Sequence, residues 1–378
     1  MTSHITLSGE RFSVVYHLTG TEAEARAKAA DICLEQTVEL PDDLLTGDIR
    51  GQIVGRVAWL RQIESGVFEA AISFARETVG GELTQLLNVI FGNISLKPGI
   101  RVERLELPES LLRSFRGPRF GRDGLRARLG VPHRPLLCTA LKPMGMTAAE
   151  MAELAYKFAL GGIDIIKDDH GLADQPFCPF EERVKLCADA VARANEQTGR
   201  RCVYMPNVAA PADRVLDRAL FAKQTGAGGL LIAPGLTGLD TMRQIADDDR
   251  IGLPIMSHPA MQGSFVAVAQ SGLSHFALFG QIARLAGADA SIFPNYGGRF
   301  FFSLDECRRL ADGAAVEMGH IKPIFPTPAG GMSLDRVPEM RHVYGRDVIF
   351  LIGGGLRRHG PDLTENCRYF KRLVEENW

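Results

Sequence analysis

The sequence predicts an α/β protein of two domains: an N-terminal ferredoxin-like α+β domain and a C-terminal (β/α)8 TIM barrel. Three observations predict this fold. The length of 378 residues exceeds what one hydrophobic core usually serves. An early β-α-β-β-α-β pattern gives way to strict strand–helix alternation. A segment rich in Gly, Pro and Arg, residues 115–135, separates the two patterns, so we place the domains at 1–125 and 126–378.

The N-terminal elements follow the order of a ferredoxin-like unit. Residues 10–18 (ERFSVVYHL) alternate like a strand, and residues 21–36 have the apolar spacing of a helix. The remaining predicted elements are a hairpin of strands 55–63 and 67–76, a second helix at 83–93 and a closing strand at 100–108.

The later part of the chain contains eight apolar runs with helical stretches between them, such as 147–162, 182–197 and 275–287. Eight units over this length fit a (β/α)8 barrel. A doubly wound open sheet is the structural alternative, but no GxGxxG follows the first run. The eight predicted strands lie in 136–143, 163–169, 202–208, 228–234, 253–259, 290–298, 321–331 and 348–355.

The composition excludes several classes of protein. Apolar residues make up 46% and charged residues 23%, as in ordinary globular proteins. A net charge of −2 gives no electrostatic case for binding nucleic acid or anionic membrane. No apolar run reaches membrane-spanning length, and the N-terminal residues lack a signal pattern. Seven Cys without a CxxC pair indicate reduced thiols. We therefore expect a cytoplasmic protein.

Ionisable side chains stand where the predicted barrel strands end. Reacting groups of barrel enzymes project from these carboxyl ends, which open on one face. Solvated, salt-bridged strand ends are the plain alternative, since charged residues are common there. Convergence of lysines, carboxylates and histidines on one face favours a catalytic site. The residues at these ends are Lys142, Lys167, Asp168, Asp169, His170, Asn207, His258 and Asn295, with Arg299 just beyond.

Glycine loops follow the last two predicted strands. Ala329, Gly330 and Gly331 end the seventh strand, and residues 353–355, all glycine, end the eighth. Glycines allow backbone N–H groups to approach an anion closely, and barrels commonly bind phosphate at these two strands. A single glycine pair usually makes only a tight turn, but two such loops at these positions predict a phosphate site.

The second predicted strand ends in a possible metal site. Asp169 and His170 can ligate a divalent ion, whereas Lys167 can do so only as a neutral amine or as a carbamate. A carbamate oxygen suits Mg2+, and the softer His170 favours a transition ion. Lys142 faces the same region, where a desolvated lysine loses its proton more readily and can act as a base. His258 is either a second proton carrier or a core histidine.

These residues resemble the large subunit of RuBisCO. "LKPMGMTAAE" (141–150) and "GGIDIIKDDHGLADQPF" (161–177) are similar to the family's KPxxGLS and GGxDxxKDDE motifs. "CLEQT", "VIFGNIS", "SHPAM", "PAGG" and "IGGG" follow in the family's order and spacing, over essentially the whole chain. The resemblance implies the two-domain fold and a homodimer with its sites at the subunit interface. Glu35 and Asn93 of one chain would complete the barrel site of the partner.

The resemblance also implies a role for each matching residue. Lys142 matches the proton-abstracting lysine, Lys167 the carbamylated lysine and Asp169 a metal carboxylate, with His170 as the third candidate ligand. His258 matches a substrate-binding histidine. The expected cofactor is a divalent metal, Mg2+ or a transition ion. Residues expected to bind the phosphorylated substrate are Glu35, Asn93, Asn207, Arg299, Ala329, Gly330, Gly331, Gly353 and Gly354.

Five departures from the family pattern affect carboxylation. His170 replaces the glutamate of KDDE, Met144 replaces a lysine, Pro259 replaces an arginine and Phe293 replaces a histidine. The mobile lysine loop that polarises CO2 is shortened, with Arg299 as its nearest cation. The changes remove parts of the second phosphate grip and of the CO2 site, whereas the base and most of the metal site remain.

The resemblance therefore implies a RuBisCO-like, non-carboxylating enzyme that acts on a phosphorylated keto-sugar or keto-acid through a metal-stabilised enediolate. It would be an isomerase or enolase, as in methionine salvage, or a decarboxylase or transcarboxylase of a branched sugar-acid phosphate. The alternative is a catalytically silent sugar-phosphate-binding protein. The departures disfavour a true ribulose-bisphosphate carboxylase.

Overall fold

The computed structural model describes residues 6–376, which form two compact units. The first contains the chain up to Arg116 together with Gln262–Ile282 and Glu317–Ile321. The second contains Gly117–Met261, Ala283–Val316 and the chain from Lys322 onward. Our boundary between residues 125 and 126 remains a prediction. No helix within residues 6–376 is both long and apolar enough to cross a membrane.

Thirteen strands occur in the described residues, numbered here in chain order. They are β1 Arg11–Thr19, β2 Arg56–Glu64, β3 Val67–Ala75, β4 Ile100–Glu106, β5 Leu136–Leu141, β6 Ile165–Asp168, β7 Val203–Met205, β8 Leu230–Ile232, β9 Ile255–Ser257, β10 Gly272–Leu273, β11 Ala290–Pro294, β12 Phe325–Ala329 and β13 Ile349–Leu351.

Fifteen α-helices occur in the same described residues. They are α1 Glu22–Glu35, α2 Gly47–Gln52, α3 Leu83–Phe91, α4 Glu109–Leu112, α5 Gly121–Leu129, α6 Ala148–Gly161, α7 Phe180–Thr198, α8 Val215–Gln224, α9 Pro234–Thr237, α10 Leu239–Asp247, α11 Ala283–Leu285, α12 Leu304–Ala315, α13 Val337–Tyr344, α14 Gly354–Arg358 and α15 Leu363–Glu375.

The first unit is built on one sheet with the order β10-β4-β1-β3-β2. The pairs β1–β3, β1–β4 and β2–β3 are antiparallel, so β4-β1-β3-β2 is the predicted ferredoxin-like arrangement. Thr21 caps α1 through a reciprocal contact with Glu24, which explains why the helix begins directly after β1. The sequence did not predict β10, which comes from Gln262–Ile282 and pairs in parallel with β4.

The second unit contains all eight predicted barrel strands, and this part of the prediction is confirmed. They form two parallel four-stranded arcs, β13-β5-β6-β7 and β12-β11-β9-β8, in the order of a (β/α)8 barrel. Within residues 6–376 the ladders of these two arcs do not close into a continuous ring. An isolated bridge between Asn207 and Leu231 connects the arcs at β7 and β8.

Prolines explain the other seam, between β12 and β13. Phe325 N donates to Asp289 O beside β11, so alternate residues of β12 direct their N–H groups toward that strand. Pro326 and Pro328 have the opposite orientation, toward β13, and proline has no N–H to donate. The described strands therefore lie side by side here without a regular ladder.

The helical segment predicted at 275–287 needs a correction. It contains a π-helix, Phe276–Ile282, followed by α11, and the π-helix belongs to the first unit rather than to the barrel. Gln281 explains this placement, because its side chain accepts from Leu105 N and donates to Leu105 O, both at 2.8 Å. These two bonds tie the segment to β4. The helices predicted at 147–162 and 182–197 are confirmed as α6 and α7.

Candidate active site

Strand parity decides which side chains face the barrel interior. One buried cluster contains Cys138 of β5, Ile165 of β6, Met205 of β7 and Met256 of β9. Side chains alternate between the two faces of a strand, so residues two or four positions further on also face inward. The inward residues at the carboxyl ends are therefore Lys142, Lys167, Asp169, Asn207 and His258.

Lys142 and Asp169 form an ion pair at the mouth of the barrel, with Lys142 Nζ 3.0 Å from Asp169 Oδ1. His170 Nδ1 lies 3.3 Å from the same oxygen. Burial alone would raise the pKa of Asp169, but the nearby His170 imidazole and Lys142 ammonium hold that pKa well below its usual range. Both contacts converge on one buried oxygen, Asp169 Oδ1.

Lys167 is buried one layer below this ion pair. Its neighbours in register are Ala140 on β5 and Met205 on β7, and the small Ala140 leaves room for the long side chain. Lys167 Nζ donates to Asp168 O at 3.0 Å. Burial disfavours the charged ammonium and lowers the pKa of Lys167. A larger fraction of Lys167 than of an exposed lysine is therefore the neutral amine, which is the form that reacts with CO2.

The Asp168 side chain points away from the barrel interior and has a structural role. Its carboxylate accepts from Arg183 Nε at 3.1 Å, from Tyr204 OH at 2.7 Å and from Asn207 N at 3.0 Å. The side chains of Asp168 and Arg183 are fully buried. These bonds join β6, α7 and β7 and thereby orient the neighbouring Lys167 and Asp169. Neither Arg183 nor Tyr204 was predicted from the sequence, although a charged residue within the apolar face of α7 was a signal for Arg183.

Asn207 holds the loop that follows β6. Its Nδ2 donates to His170 O at 3.0 Å and to Leu172 O at 2.9 Å, so both amide protons are used. The amide therefore positions the His170 backbone, and its contact with substrate remains a prediction.

His258 stacks on His170, with ring centroids 4.3 Å apart and planes 14° from parallel. Burial, followed by electrostatic interaction with Lys167 and His170, lowers the pKa of His258 to about 2. Its Nδ1 accepts from Ala260 N at 3.1 Å, which assigns the proton of the neutral ring to Nε2. A neutral imidazole with a free N–H suits a hydrogen bond to a substrate oxygen better than a role as proton carrier.

The two glycine loops differ in how open they are. Gly330 and Gly331 have φ of +85° and +95°, a region that favours glycine. A Cβ at Gly330 would lie 3.0 Å from the Phe300 ring, and one at Gly331 would lie 2.8 Å from Arg299 Cγ. Arg299 N also donates to Gly330 O at 2.9 Å. The loop after β11 therefore covers this glycine pair.

The loop after β13 is open. No described atom lies within 4 Å of a Cβ placed at Gly353 or Gly354. A ligand can therefore approach the backbone of these two glycines closely. The buried Ala329 precedes the covered pair and ends β12.

Glu35 and Asn93 belong to the first unit, whereas the residues above belong to the second. Asn93 Nδ2 donates to Glu35 Oε1 at 3.1 Å, and Lys97 Nζ lies 3.2 Å from Glu35 Oε2. The two predicted residues therefore contact each other. The expectation that Asn295 faces the site with the other strand ends is wrong. Its side chain points out of the barrel interior, is fully buried and accepts a hydrogen bond from Tyr344 OH.

The candidate metal ligands are Lys167, Asp169 and His170. No group of three or more His, Cys, Asp or Glu with metal-binding geometry occurs in residues 6–376. Two ligands of suitable type, Asp169 and His170, are nevertheless adjacent, and the buried Asp169 Oδ1 already holds a cation, the Lys142 ammonium, at 3.0 Å. A carbamate on Lys167 would supply a third, oxygen ligand. With Lys167 carbamylated, the side chains of Lys167, Asp169 and His170 fit a divalent cation.

Comparisons with known proteins match a family model in the second unit and related proteins over nearly the whole chain. The model of the ribulose bisphosphate carboxylase large chain, catalytic domain, matches residues 122–295. Over 367 residues the chain is 40% identical to 5-methylthioribulose-1-phosphate isomerase of Rhodospirillum rubrum, covering 97% of this chain and 96% of that protein. Over 372 residues it is 32% identical to 2,3-diketo-5-methylthiopentyl-1-phosphate enolase of Bacillus pumilus, covering 95% and 91%. The crystal structure of a Rubisco-like protein from Rhodopseudomonas palustris matches with a TM-score of 0.88 and 38% identity, covering 98% of this chain and 99% of that chain.

Proposed function

The chain belongs to the ribulose bisphosphate carboxylase large-chain family, and we propose that it is a RuBisCO-like, non-carboxylating isomerase of 5-methylthioribulose 1-phosphate or a close analogue. The Lys142–Asp169 ion pair above the buried Lys167 is the observation that carries this proposal. It keeps the groups needed for enolisation at the barrel mouth, where barrel enzymes react. Related proteins named as isomerase and as enolase share a keto-sugar phosphate as the compound in their names.

The surroundings of the ion pair do not favour carboxylation. Met144 stands where the family's carboxylases have a lysine. Its side chain packs against Gly171, because its Cε lies 2.7 Å from where a Cβ on Gly171 would be. A half-exposed thioether therefore lies against the loop after Asp169 and His170. The position beside His258 is Pro259, which has no cation for a second phosphate. A substrate with one phosphate and an apolar end fits this mouth better than a bisphosphate.

We assign proton transfer to Lys142. It forms an ion pair with Asp169, and the proposed role requires the neutral amine, which can act as a base. The neutral amine would take a proton from the carbon next to the substrate carbonyl, leaving an enediolate, and would return it to the former carbonyl carbon. The hydroxyl proton would pass from the oxygen of the first carbon to that of the second, so that the carbonyl moves by one position. His258 Nε2–H would donate a hydrogen bond to a substrate oxygen. No atom is gained or lost, as an isomerisation requires.

A divalent cation held by Asp169, His170 and carbamylated Lys167 would stabilise the negative charge of the enediolate. Asp168, through Arg183 and Tyr204, keeps two of these side chains on the inner face. Asn207 keeps the His170 backbone in place. Mg2+ suits the oxygen ligands, and a transition ion would suit His170.

The substrate phosphate would bind the open backbone of Gly353 and Gly354. Gly330 and Gly331 would also bind the phosphate only if the covering loop with Arg299 and Phe300 moved away from them. One strong phosphate site is therefore expected rather than two. In a homodimer, Glu35 and Asn93 of the partner chain would complete the site.

The test is incubation with 5-methylthioribulose 1-phosphate in D2O with Mg2+ and CO2, followed by proton NMR. Wild type should incorporate deuterium at the carbon next to the carbonyl and form an isomeric ketose phosphate. Lys142→Ala should lose at least about 100-fold of this rate, the usual minimum contribution of a general base. Turnover of 2,3-diketo-5-methylthiopentyl 1-phosphate instead would assign the enolase reaction. Absence of exchange with either compound would refute the proposal and favour a silent binding protein.

A further inference from the structure

Arg357 lies between the predicted phosphate loop and the predicted base. Its Nη1 donates a hydrogen bond to the main-chain carbonyl of Lys142. Arg357 is on α14, whose first residue is Gly354, and its side chain is otherwise exposed. Among the described residues no carboxylate lies within ion-pair distance of it. The structure thus connects a residue of the eighth-strand loop to the end of the first barrel strand.

The carbonyl of Lys142 lies beyond the ladder that joins β5 to β13. That ladder ends at Cys138, which pairs with Leu351 and accepts from Ile352 N. The residue after Lys142 is Pro143, which has no N–H to form a turn with its neighbours. The guanidinium of Arg357 therefore satisfies the main-chain carbonyl of Lys142, which the ladder between β5 and β13 does not reach.

Helix geometry places Arg357 near the open glycines. Residues three apart lie on one face of a helix, so Gly354 and Arg357 share a face of α14. A guanidinium has five N–H donors, and Lys142 O engages one nitrogen of Arg357. The remaining donors suit a phosphate oxygen, since arginine recognises phosphate through paired N–H groups.

We propose that Arg357 is a positioning residue that links phosphate binding at Gly353 and Gly354 to the placement of Lys142. The inference rests on the proposed function. A phosphate on this loop would engage Arg357 and hold the guanidinium on the Lys142 carbonyl. Lys142 is then held in position beside the substrate when the phosphate is bound. This raises the rate of proton transfer and not only the affinity for substrate.

The first experiment compares Arg357→Ala and Arg357→Lys with wild type in the deuterium-exchange assay. Arg358→Ala is the matched control, because Arg358 is the exposed neighbour on the same helix. Arg357→Ala should lower kcat by about 10-fold or more, the order expected when a reacting group is misplaced. KM should rise by a smaller factor. Arg357→Lys should regain part of kcat, and Arg358→Ala should match wild type. An unchanged kcat in Arg357→Ala, or an equal loss in Arg358→Ala, would overturn the proposal.

The second experiment measures the link without turnover. Reductive methylation of Lys142 is followed by peptide mass spectrometry with and without inorganic phosphate. Phosphate should slow methylation of Lys142 in wild type and in Arg358→Ala, and the effect should be lost in Arg357→Ala. Equal phosphate protection in wild type and Arg357→Ala, or none in wild type, would refute the link. An enzyme inactive on both keto-sugar phosphates would refute the proposed function, whereas Lys142 protection would still decide the role of Arg357.

Discussion

Neighbouring residues of β6 have opposite roles because their side chains alternate between two surroundings. Asp168 points toward α7 and is neutralised by Arg183, whereas Asp169 points into the barrel mouth and meets Lys142. Lys167, on the inner face, is buried, and among the described residues its hydrogen-bond acceptor is a main-chain carbonyl, that of Asp168. Burial lowers the pKa of Lys167 because no carboxylate there offsets desolvation fully. The "KDD" motif is thus one structural carboxylate between two residues that face the site.

Lys167 should form a carbamate. The reaction needs the neutral amine, and a lowered pKa enlarges the neutral fraction at any pH below the ordinary lysine range. Carbamylation should therefore increase as the pH rises through this lowered pKa, and Mg2+ should stabilise the product. Carbon-13 NMR with labelled bicarbonate and Mg2+ would detect it. Lys167→Arg should lack the signal, and a bare amine in wild type under these conditions would contradict this metal site.

Gly354→Ala should weaken substrate binding without weakening the fold. No described atom lies within 4 Å of the added Cβ, and the φ of Gly354 is not in the left-handed region. The methyl group would instead keep a phosphate away from the backbone. We expect KM for the monophosphate substrate to rise by about 10-fold or more, which corresponds to about 1.4 kcal/mol of lost binding. Thermal denaturation should give an unchanged Tm.

Gly355→Ala provides the contrast to Gly354→Ala. Its Cβ would lie 2.4 Å from Met332 O, so that substitution should lower Tm. An unchanged KM in Gly354→Ala would show that the phosphate binds elsewhere.

At the scale of elements, β6, α7 and β7 are held together by the buried contact of Arg183 with Asp168. Arg183→Met should destabilise the protein by about 3–5 kcal/mol, because it leaves the Asp168 carboxylate buried without its cation. Tyr204→Phe removes one hydrogen bond from the same carboxylate and should cost about 1–2 kcal/mol. Urea unfolding would measure both values. Equal, small losses would show that water replaces the guanidinium.

The barrel strands were predictable, but the contacts between distant elements were not. A strand such as β5 is buried at every position, so its apolar run is visible in the sequence. The contact of Gln281 with Leu105 joins residues 176 positions apart, and no local pattern indicates which glutamine will form it. For the same reason the sequence predicted neither β10 nor the π-helix at Phe276–Ile282.

The sequence indicated the site only in part, and the roles of its residues stay predictions. Strand ends pointed to Lys142, Lys167 and Asp169, but also to Asp168 and Asn295, whose side chains the structure directs away from the barrel interior. The cover over Gly330 and Gly331 depends on Phe300 and Arg299, whose loop has no periodic pattern. Arg357 was missed because its contact is to a main-chain carbonyl, which leaves no mark on the residue types.

At the scale of the whole molecule, the predicted site residues are divided between the two units. Glu35 and Asn93 contact each other in the first unit, and Lys142 and Asp169 lie in the second. The family resemblance implies that the first unit of one chain completes the barrel of its partner. Each active site of such a homodimer would then need residues from both chains, which can be tested by mixing two defective variants.

The two variants are Lys142→Ala, defective in the base, and Asn93→Ala, defective in the exposed residue that contacts Glu35. Each should be nearly inactive alone. After subunit exchange of equal amounts, half of the dimers would carry one of each chain, and one of their two sites would have neither defect. About a quarter of wild-type exchange activity should therefore return, given random pairing in a two-fold dimer. Two distinguishable affinity tags would confirm that mixed dimers form. Mixed dimers that remain inactive, or full activity in Asn93→Ala alone, would contradict a site shared between subunits.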